Sequence, residues 1–345
     1  MSPSLSVVVP VYNEAPHLAE TIDGIVGAIE RTDFDAELVV VDDGSTDQSA
    51  QAAAAALRGR LPLAVVSQPN RGRFHAVREG LRRTKGRYIL VLGARVRLRP
   101  DALAFVRTRQ QAGELVWTGH VHIHTDGNRY GAFMNVLTEI AWRDYFDDPR
   151  PLSFGLVGFD RYPKGSGCFI APREILLEAF DAIPARYADA RFANDDAPML
   201  RRIAAIQPIH VAPAFASDYV PRASLRTFVK HSIHRGTVFL DGHGRRESRF
   251  FPFIAAFYPL SAALVAVIPF RPRVLPVTVA AVSLGAGTVA ASARRSRSEV
   301  LTVAALAPIW VTALGAGLWR GLGMIAATRL RSPSVHPGRE SERWN

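Results

Sequence analysis

Two pairs of adjacent carboxylates, Asp42-Asp43 and Asp195-Asp196, are the residues best suited by type and spacing to do chemistry. In Asp195-Asp196, repulsion between the neighbouring carboxylates raises the pKa of one of them toward the range in which a general base works, whereas Asp42-Asp43 follows a predicted strand, where a ligand is expected. A structural interpretation competes for each pair. Asp195 or Asp196 could cap a helix that has Pro198 in its first turn, and Asp42-Asp43 could be an acidic turn before a helix.

The segment before Asp42 shows where the first pair lies. Residues 38–41 are four apolar, mostly β-branched residues in a row, which is typical of a strand buried on both faces in a parallel sheet. Residues 44–47 predict a tight turn and a cap, and residues 48–57 predict a helix. Ligands of open α/β sheets bind outside the carboxyl ends of the strands, so both carboxylates lie where a ligand is expected.

The start of the chain repeats this arrangement. Residues 5–9 predict a buried strand that ends in the tip Pro10-Val11-Tyr12-Asn13-Glu14, and residues 17–31 predict a crossover helix. Such a βαβ unit brings both tips to the same edge of the sheet. The next predicted elements are a strand, a helix and a strand over residues 63–67, 74–83 and 87–92. The predicted fold class is therefore α/β with a mostly parallel sheet.

Pro10-Val11-Tyr12-Asn13-Glu14 followed by Val41-Asp42-Asp43-Gly44-Ser45-Thr46-Asp47 resembles the amino-terminal signature of family 2 glycosyltransferases, which have the Rossmann-like GT-A fold. The resemblance implies five residues that hold the base and ribose of a nucleotide-sugar donor: Pro10, Tyr12, Glu14, Asp42 and Asp43. Asn70, Gly72 and Arg73 fit the Asn, Gly and basic residue that often precede the next helix in this family. An ordinary strand-to-helix loop explains Asn70 equally well.

The chain departs from the family after the strand over residues 87–92. Family members normally carry Asp-x-Asp there, and its carboxylates hold a divalent cation against the donor diphosphate. This chain has Gly93-Ala94-Arg95 instead. Neither Gly nor Arg side chains offer the oxygen ligands that Mg²⁺ or Mn²⁺ requires, so the usual ligands of the metal cofactor are absent.

Two consequences of this departure compete. In one, the protein is a pseudo-glycosyltransferase that binds donor or acts as a scaffold. In the other, the Arg95 guanidinium replaces the cation, binds the diphosphate in a bidentate way and stabilises the charge on the leaving group, while Gly93 permits close approach. The second is preferred because the rest of the donor motif is intact.

A histidine-rich segment offers an alternative metal site. Residues 116–126 alternate so that His120, His122 and His124 share one face of a predicted strand, with Asp126 beyond them. Such a set could bind zinc or manganese. A polar face on an edge strand is the competing interpretation, and alternate residues lie about 6.6 Å apart, too far for three rings to converge easily.

The second acidic pair also resembles the family. Asp195-Asp196, Met199 and Arg202 reproduce the family spacing of an acidic pair, an apolar residue and an arginine, which implies an inverting mechanism with Asp196 as the general base. A polyprenyl phosphate acceptor would need no base, because it is already anionic. Residues 164–171 resemble the small-residue stretch before the acceptor site. Residues 231–235 match the family's Gln-x-x-Arg-Trp element poorly, which disfavours a processive synthase.

Composition limits the binding partners and the cellular compartment that we expect. The formal net charge of the 345-residue chain is +11, and arginine far outnumbers lysine, which suits phosphates or an anionic membrane. Motifs typical of nucleic-acid binding are missing, so no nucleic-acid partner is expected. The one cysteine, Cys168, excludes an intrachain disulfide and predicts a reducing compartment. The sequence starts without the pattern of a cleavable signal peptide.

Three uncharged runs predict membrane spans, over residues 251–270, 274–293 and 300–319. With a cytoplasmic catalytic domain, three crossings leave the basic residues 294–297 inside, as the positive-inside rule prefers, but Arg329 and Arg331 outside. Two crossings, with residues 251–270 at the interface, reverse these placements. Length alone favours three.

The sequence thus predicts a GT-A domain over residues 1–220, an amphipathic interfacial segment over 221–250, a transmembrane region over 251–330 and a flexible tail over 331–345. The expected protein is a multi-pass, membrane-anchored, inverting and non-processive glycosyltransferase at the cytoplasmic face. Its partners would be a nucleotide-sugar donor and a membrane lipid or lipid-linked glycan acceptor. A nucleotidyltransferase is disfavoured because its Gly-rich triphosphate loop is missing.

Overall fold

The computed structural model describes residues 4–181, 187, 189–192, 196–246 and 248–331. Its strands are β1 (Leu5–Val11), β2 (Ala36–Asp42), β3 (Leu63–Ser67), β4 (Tyr88–Leu92), β5 (Val96–Leu98), β6 (Trp117–Thr118), β7 (His120–Ile123), β8 (Leu152–Phe154), β9 (Cys168–Pro172), β10 (Ile209–Val211) and β11 (Ala216–Tyr219). Its helices are α1 (Ala15–Ile29), α2 (Ser49–Leu57), α3 (Arg73–Arg83), α4 (Ala102–Gln111), α5 (Arg129–Ala141), α6 (Arg143–Phe146), α7 (Arg173–Asp181), α8 (Asp196–Ile206), α9 (Leu225–His243), α10 (Phe251–Val267), α11 (Val274–Ser292) and α12 (Arg297–Arg331).

The larger sheet has eight strands in the order β3-β2-β1-β4-β9-β6-β10-β8. Strands β3, β2, β1 and β4 are parallel, because crossover helices connect them, and β9 joins β4 in the antiparallel direction. Helices α1, α2 and α4 bury apolar side chains against one face. Helices α3, α7 and α8 cover the other. The predicted α/β class and mostly parallel sheet are confirmed.

The histidine-rich segment is not the single strand that its alternation predicts. It breaks at Gly119 into β6, which belongs to the larger sheet, and β7, which joins β11 and β5 in a separate three-stranded sheet. A Cβ atom on Gly119 would lie 2.6 Å from Cys168 Sγ, so only glycine allows the backbone to pass there. Strand β7 ends at Ile123, which leaves His124 outside it.

The C-terminal helices form a second packed unit around α12. Helix α11 and the amphipathic helix α9 both pack along α12. The α9–α12 contact depends on two glycines: a Cβ atom would lie 2.1 Å from Leu314 O if placed on Gly236, and 2.0 Å from Ile233 O if placed on Gly317. Thr237 Oγ1 donates a hydrogen bond to Gly317 O across the same contact at 3.1 Å.

Two of these helices, α11 and residues Arg297–Thr328 of α12, are long and apolar enough to cross a membrane by length and composition, while α10 is shorter. Both halves of α12 contact the α/β domain. Arg295, just before α12, forms an ion pair with Glu139 of α5. Near the other end, the Arg320 guanidinium lies 4.3 Å from the ring centroid of Phe192. Helix α12 therefore lies alongside the domain.

The glycine contact gives a stability prediction. Gly236→Ala should lower the free energy of unfolding by about 1–3 kcal/mol, because the new methyl group meets backbone that cannot move aside. Gly323→Ala is the matched control: it lies on α12 with open space around it, and should be neutral or up to about 1 kcal/mol stabilising. Thermal unfolding of the detergent-solubilised protein measures both. Equal midpoints for the two variants would contradict the close packing of α9 on α12.

Candidate functional site

The tips of β1 and β2 are joined by hydrogen bonds between side chains of one and backbone of the other. The backbone N–H groups of Asn13, Glu14 and Ala15 donate to Ser45 Oγ at 3.0 Å, Ser49 Oγ at 2.9 Å and Asp47 Oδ2 at 3.2 Å. Two of them, Glu14 N and Ala15 N, are donors that the first turn of α1 leaves unpaired, and Asn13 N lies just before the helix. The Gly-Ser-Thr-Asp turn after β2 therefore caps the helix after β1 as well as its own.

Asn13 completes this connection in the opposite direction. Its Oδ1 accepts hydrogen bonds from Thr46 N at 2.7 Å and Asp47 N at 3.3 Å. Its backbone lies in the left-handed region, with φ 56°, which asparagine tolerates better than most residues. The sequence reasoning did not single out Asn13, although a polar residue able to adopt positive φ directly after a buried strand was the available signal.

Asp42 and Asp43, both predicted to hold the donor, have different surroundings. Asp43 is buried and accepts hydrogen bonds from Gln68 Nε2, Arg71 N and Gly72 N at 2.6–2.8 Å. It thus fixes the loop after β3. Asp42 is half-buried, and its Oδ1 accepts a hydrogen bond from Ser45 N at 2.9 Å.

The loop after β3 closes tightly on its neighbours. A Cβ atom on Gly44 would lie 2.7 Å from Asn70 N, and one on Gly72 would lie 2.5 Å from Arg191 Cα. Both glycines have positive φ, so other residues would be strained there as well. The predicted donor residue Asn70 is exposed at the surface of this loop.

We call the region outside the carboxyl ends of β1, β2 and β4 the cleft. Arg73 and Gly93, also predicted to contact the donor, connect this cleft to the predicted acceptor stretch, residues 164–171. The Arg73 guanidinium donates to Ser166 Oγ at 2.5 Å and to Ser166 O at 2.9 Å. Gly93 N donates to Gly167 O at 2.8 Å. Both residues hold the small-residue segment around Ser166 against the carboxyl end of β4.

Arg95 lies in the cleft and meets Glu14. Its Nε is 2.7 Å from Glu14 Oε2, and both side chains are largely buried, with exposed fractions of 18% and 12%. Neither of these two atoms makes a hydrogen bond within the described residues, although both are buried. The contact is thus a close, largely buried ion pair without hydrogen-bond geometry.

A second guanidinium approaches the same carboxylate. Arg222, which follows β11, has Nη2 3.8 Å from Glu14 Oε1.

Two histidines near these cations are neutral. Burial and the nearby Arg95 lower the pKa of His17, so its ring is neutral at neutral pH. Partial burial, Arg235 and Arg222 lower the pKa of His231 on α9 in the same way. Two cations against the one carboxylate of Glu14 make this part of the cleft suitable for an anion.

The remaining predicted residues are placed as follows. Pro10 is half-buried in β1, and Tyr12 at its end is 47% exposed. Asp195 lies outside the described residues, and Asp196 is the first residue of α8, which agrees with a position at a helix start. Met199 of α8 is buried in the core, and Arg202 of the same helix forms an ion pair with Glu178 at 3.1 Å.

The histidine alternative receives no support from the geometry. His120 Nδ1 and the Tyr145 hydroxyl share a hydrogen bond of 2.8 Å, and burial lowers the pKa of His120 to about 4. Across the described ranges, no group of three or more His, Cys, Asp or Glu side chains is arranged to hold a metal ion.

The part of the chain that contains this cleft is similar to known proteins. Residues 6–166 match the family model described as glycosyl transferase family 2. The chain is 33% identical over 117 residues to the undecaprenyl-phosphate 4-deoxy-4-formamido-L-arabinose transferase of Edwardsiella ictaluri, covering 33% of this chain and 36% of that protein. It is 37% identical over 101 residues to the Enterobacter sp. protein of the same name, covering 29% and 31%. The matches thus span about a third of these relatives.

Among solved structures, the chain is similar to the mannosyltransferase PcManGT from Pyrobaculum calidifontis in complex with GDP-Man and Mn²⁺. The TM-score is 0.48 and the identity 23%, over 96% of this chain and 88% of that one. It is also similar to S. aureus TarS 1-349 in complex with UDP-GlcNAc, with a TM-score of 0.48 and 16% identity, over 96% and 92%.

The tip geometry gives a prediction for Asn13. Asn13→Gly should lower the free energy of unfolding by about 1 kcal/mol through lost hydrogen bonds. Asn13→Ala should cost roughly 1 kcal/mol more, because alanine resists positive φ. Asn70→Ala, an exposed asparagine in the same cleft, should change stability by less than about 0.5 kcal/mol. Thermal unfolding in detergent compares the three variants. If Asn13→Ala were as stable as Asn70→Ala, the proposed role of Asn13 would be wrong.

Proposed function

Since residues 6–166 match the family model of glycosyl transferase family 2, we propose that the protein transfers a sugar from a nucleotide-sugar donor to a membrane lipid or lipid-linked glycan, with inversion and without a metal ion. The acceptor oxygen attacks the anomeric carbon, the bond to the diphosphate breaks, and the electron pair leaves with the nucleoside diphosphate. The observation that carries this proposal is the Arg95 guanidinium after β4, which together with Arg222 places two cations against the single carboxylate of Glu14.

Arg95 is suited to the work that a cation does in this reaction. It follows β4, at the position where the family carries metal-binding carboxylates, and the Gly93-Ala94-Arg95 segment offers no side-chain oxygen to a metal. A half-buried guanidinium can donate two hydrogen bonds to a diphosphate, and in a cleft poor in water this stabilises the leaving group strongly. Arg222 supplies a second positive charge beside it. Glu14 is then the counter-ion that the donor phosphates replace or share.

The acceptor is proposed to be a polyprenyl phosphate. The relatives that match residues of this domain are named as undecaprenyl-phosphate transferases. Arg222 and the neutral His231 lie where β11 leads into α9, beside the cationic part of the cleft, and could bind the acceptor phosphate. With a phosphate nucleophile, Asp195 and Asp196 need not remove a proton. With a hydroxyl acceptor, Asp196 would be the general base.

The Arg95 hypothesis predicts a strong effect of one substitution. Arg95→Ala should lower kcat by about 10²–10³-fold, because the leaving-group charge loses its main partner. Arg97→Ala is the control, since Arg97 forms an ion pair with Glu20 on the outside of α1, and it should keep nearly full turnover. Release of nucleoside diphosphate from a panel of nucleotide sugars, with a polyprenyl phosphate acceptor and EDTA present, measures both. Unchanged turnover in Arg95→Ala, or wild-type turnover abolished by EDTA, would refute the hypothesis.

A donor-binding protein without transferase activity is the second candidate. It is favoured by the Arg95–Glu14 pair itself, in which two groups proposed to serve the donor neutralise each other. Calorimetric binding of UDP and GDP, combined with no turnover on any donor of the panel, would favour this candidate over the enzyme.

The membrane arrangement is proposed to differ from three simple crossings. Helix α12 packs on α9, which carries Lys230 and Arg235, and a charged helix does not fit inside the hydrocarbon core. Helices α10 and α11, of 17 and 19 residues, expose large apolar side chains and are about 25 and 28 Å long, close to the thickness of that core. We therefore propose that α10 and α11 enter the bilayer as successive crossings, while α12, which packs along both α11 and α9, lies at the boundary between the bilayer and the domain.

Cysteine labelling tests this arrangement. Burial raises the pKa of the Cys168 thiol to about 12, so the native cysteine should stay unlabelled in the folded protein. A membrane-impermeant maleimide, applied to sealed vesicles of each orientation, should label Ser296→Cys and Arg58→Cys from the same side, because Arg295 contacts the catalytic domain. Arg273→Cys should be labelled only from the opposite side. Arg331→Cys, at the end of α12, should be labelled from the same side as Ser296→Cys. Labelling of Arg331→Cys from the opposite side would show a third crossing by α12 and overturn the arrangement, as would labelling of Ser296→Cys and Arg58→Cys from opposite sides.

A further inference from the structure

A cavity of about 560 Å³ lies outside the cleft, between α8 and the segment that joins α9 to α10. Its polar wall consists of Arg201 from α8 together with Arg245, Arg246 and Ser248 from the joining segment. Phe251, the first residue of the apolar helix α10, completes it. None of the residues proposed to bind the donor lines this cavity, so it is a separate site.

Contacts with neighbouring side chains hold Arg201 of this polar wall in place. Arg201 is held by Asp160, at 3.3 Å, and by the ring of Phe159, whose centroid lies 4.5 Å from its guanidinium carbon. Lys164 Nζ lies 4.3 Å from the centroid of the same ring. Burial lowers the pKa of Lys164 to about 8, which leaves the amine mostly protonated at neutral pH. Asp160 thus faces more than one cation.

Arg245 has a polar atom that the described residues leave unsatisfied. Its Nε is buried and makes no hydrogen bond in the ranges that the structure covers. Ser248 Oγ and His243 Nδ1 share a hydrogen bond of 3.0 Å on the same segment, and burial lowers the pKa of His243 to about 4, so this ring adds no charge. An anion with several acceptor oxygens would satisfy Arg245 and balance the three arginines.

The position of the cavity next to the apolar helix α10 indicates which kind of anion it binds. Its rim is Phe251, and α10 continues with exposed apolar residues, Phe253 being 74% exposed. A ligand with a phosphate and acyl chains could place the phosphate among the arginines and its chains along α10. We propose that this cavity binds the phosphate headgroup of an anionic membrane lipid. This site does not require transferase activity and remains testable if the proposed function fails.

The test measures binding by the full-length protein in a neutral detergent. Short-chain phosphatidylglycerol, added as a soluble probe, should bind saturably, with weaker binding of short-chain phosphatidylcholine. The double variant Arg245→Gln/Arg246→Gln should bind phosphatidylglycerol at least tenfold more weakly, because two charge-assisted contacts are lost. Arg246→Gln alone, at an exposed side chain, should fold normally and weaken binding by a smaller factor.

The matched control is Arg271→Gln/Arg273→Gln, which removes the same charge at the far end of α10 and should leave the affinity unchanged. Equal losses in both double variants would show general electrostatic attraction and overturn the site. Unchanged binding in Arg245→Gln/Arg246→Gln with that variant folded, judged by thermal unfolding, would also overturn it. Inorganic phosphate that binds as tightly as phosphatidylglycerol would overturn the assignment to a lipid.

Discussion

The cleft depends on the reciprocal hydrogen bonds between the tips of β1 and β2. Two parallel strands bring their carboxyl ends side by side, but the loops that follow would diverge without a connection. Here the backbone after β1 donates to the side chains after β2, and Asn13 Oδ1 accepts from the backbone after β2. Because Glu14 N is one of the donors, the same bonds that join the tips also fix the carboxylate that Arg95 contacts.

The Arg95–Glu14 pair shows how a charged group can be kept in a site that we propose binds phosphates. An unpaired guanidinium at 18% exposure would be costly, and Glu14 offsets this cost. The offset is incomplete by geometry, since Arg95 Nε makes no hydrogen bond within the described chain, and Arg222 adds a second cation. A diphosphate brings more negative charge and more acceptor oxygens than one carboxylate. The empty cleft is therefore stable enough to fold and still favours an anionic ligand.

The sequence was most informative where local pattern and tertiary environment agree. The strands β1, β2, β3 and β4 were predicted to within about two residues. For β1, β2 and β4 the reason is that continuous apolar runs are typical of strands buried on both faces, whereas β3 is an edge strand that is only partly buried. The structural role of Asp43 could not be predicted, because it depends on backbone donors contributed by residues 71 and 72. The break at Gly119 was missed for a similar reason: the alternation of residues 116–126 is regular, and the obstacle is Cys168, far along the chain.

Hydrophobicity alone also could not show the role of α12. Its uncharged run satisfies the length criterion for a span, yet Gly317 meets Gly236 of α9 so closely that neither helix can separate from the other without losing this contact. Helix α9 begins three residues after Arg222, which lies 3.8 Å from Glu14. One continuous segment therefore connects the cationic wall of the cleft to the apolar helices. The distance from Arg222 to Gly236 is only about 20 Å along a helix, so the proposed membrane arrangement would place the cleft close to the bilayer surface. A phosphorylated lipid could then reach Arg222 with its chains still in the bilayer.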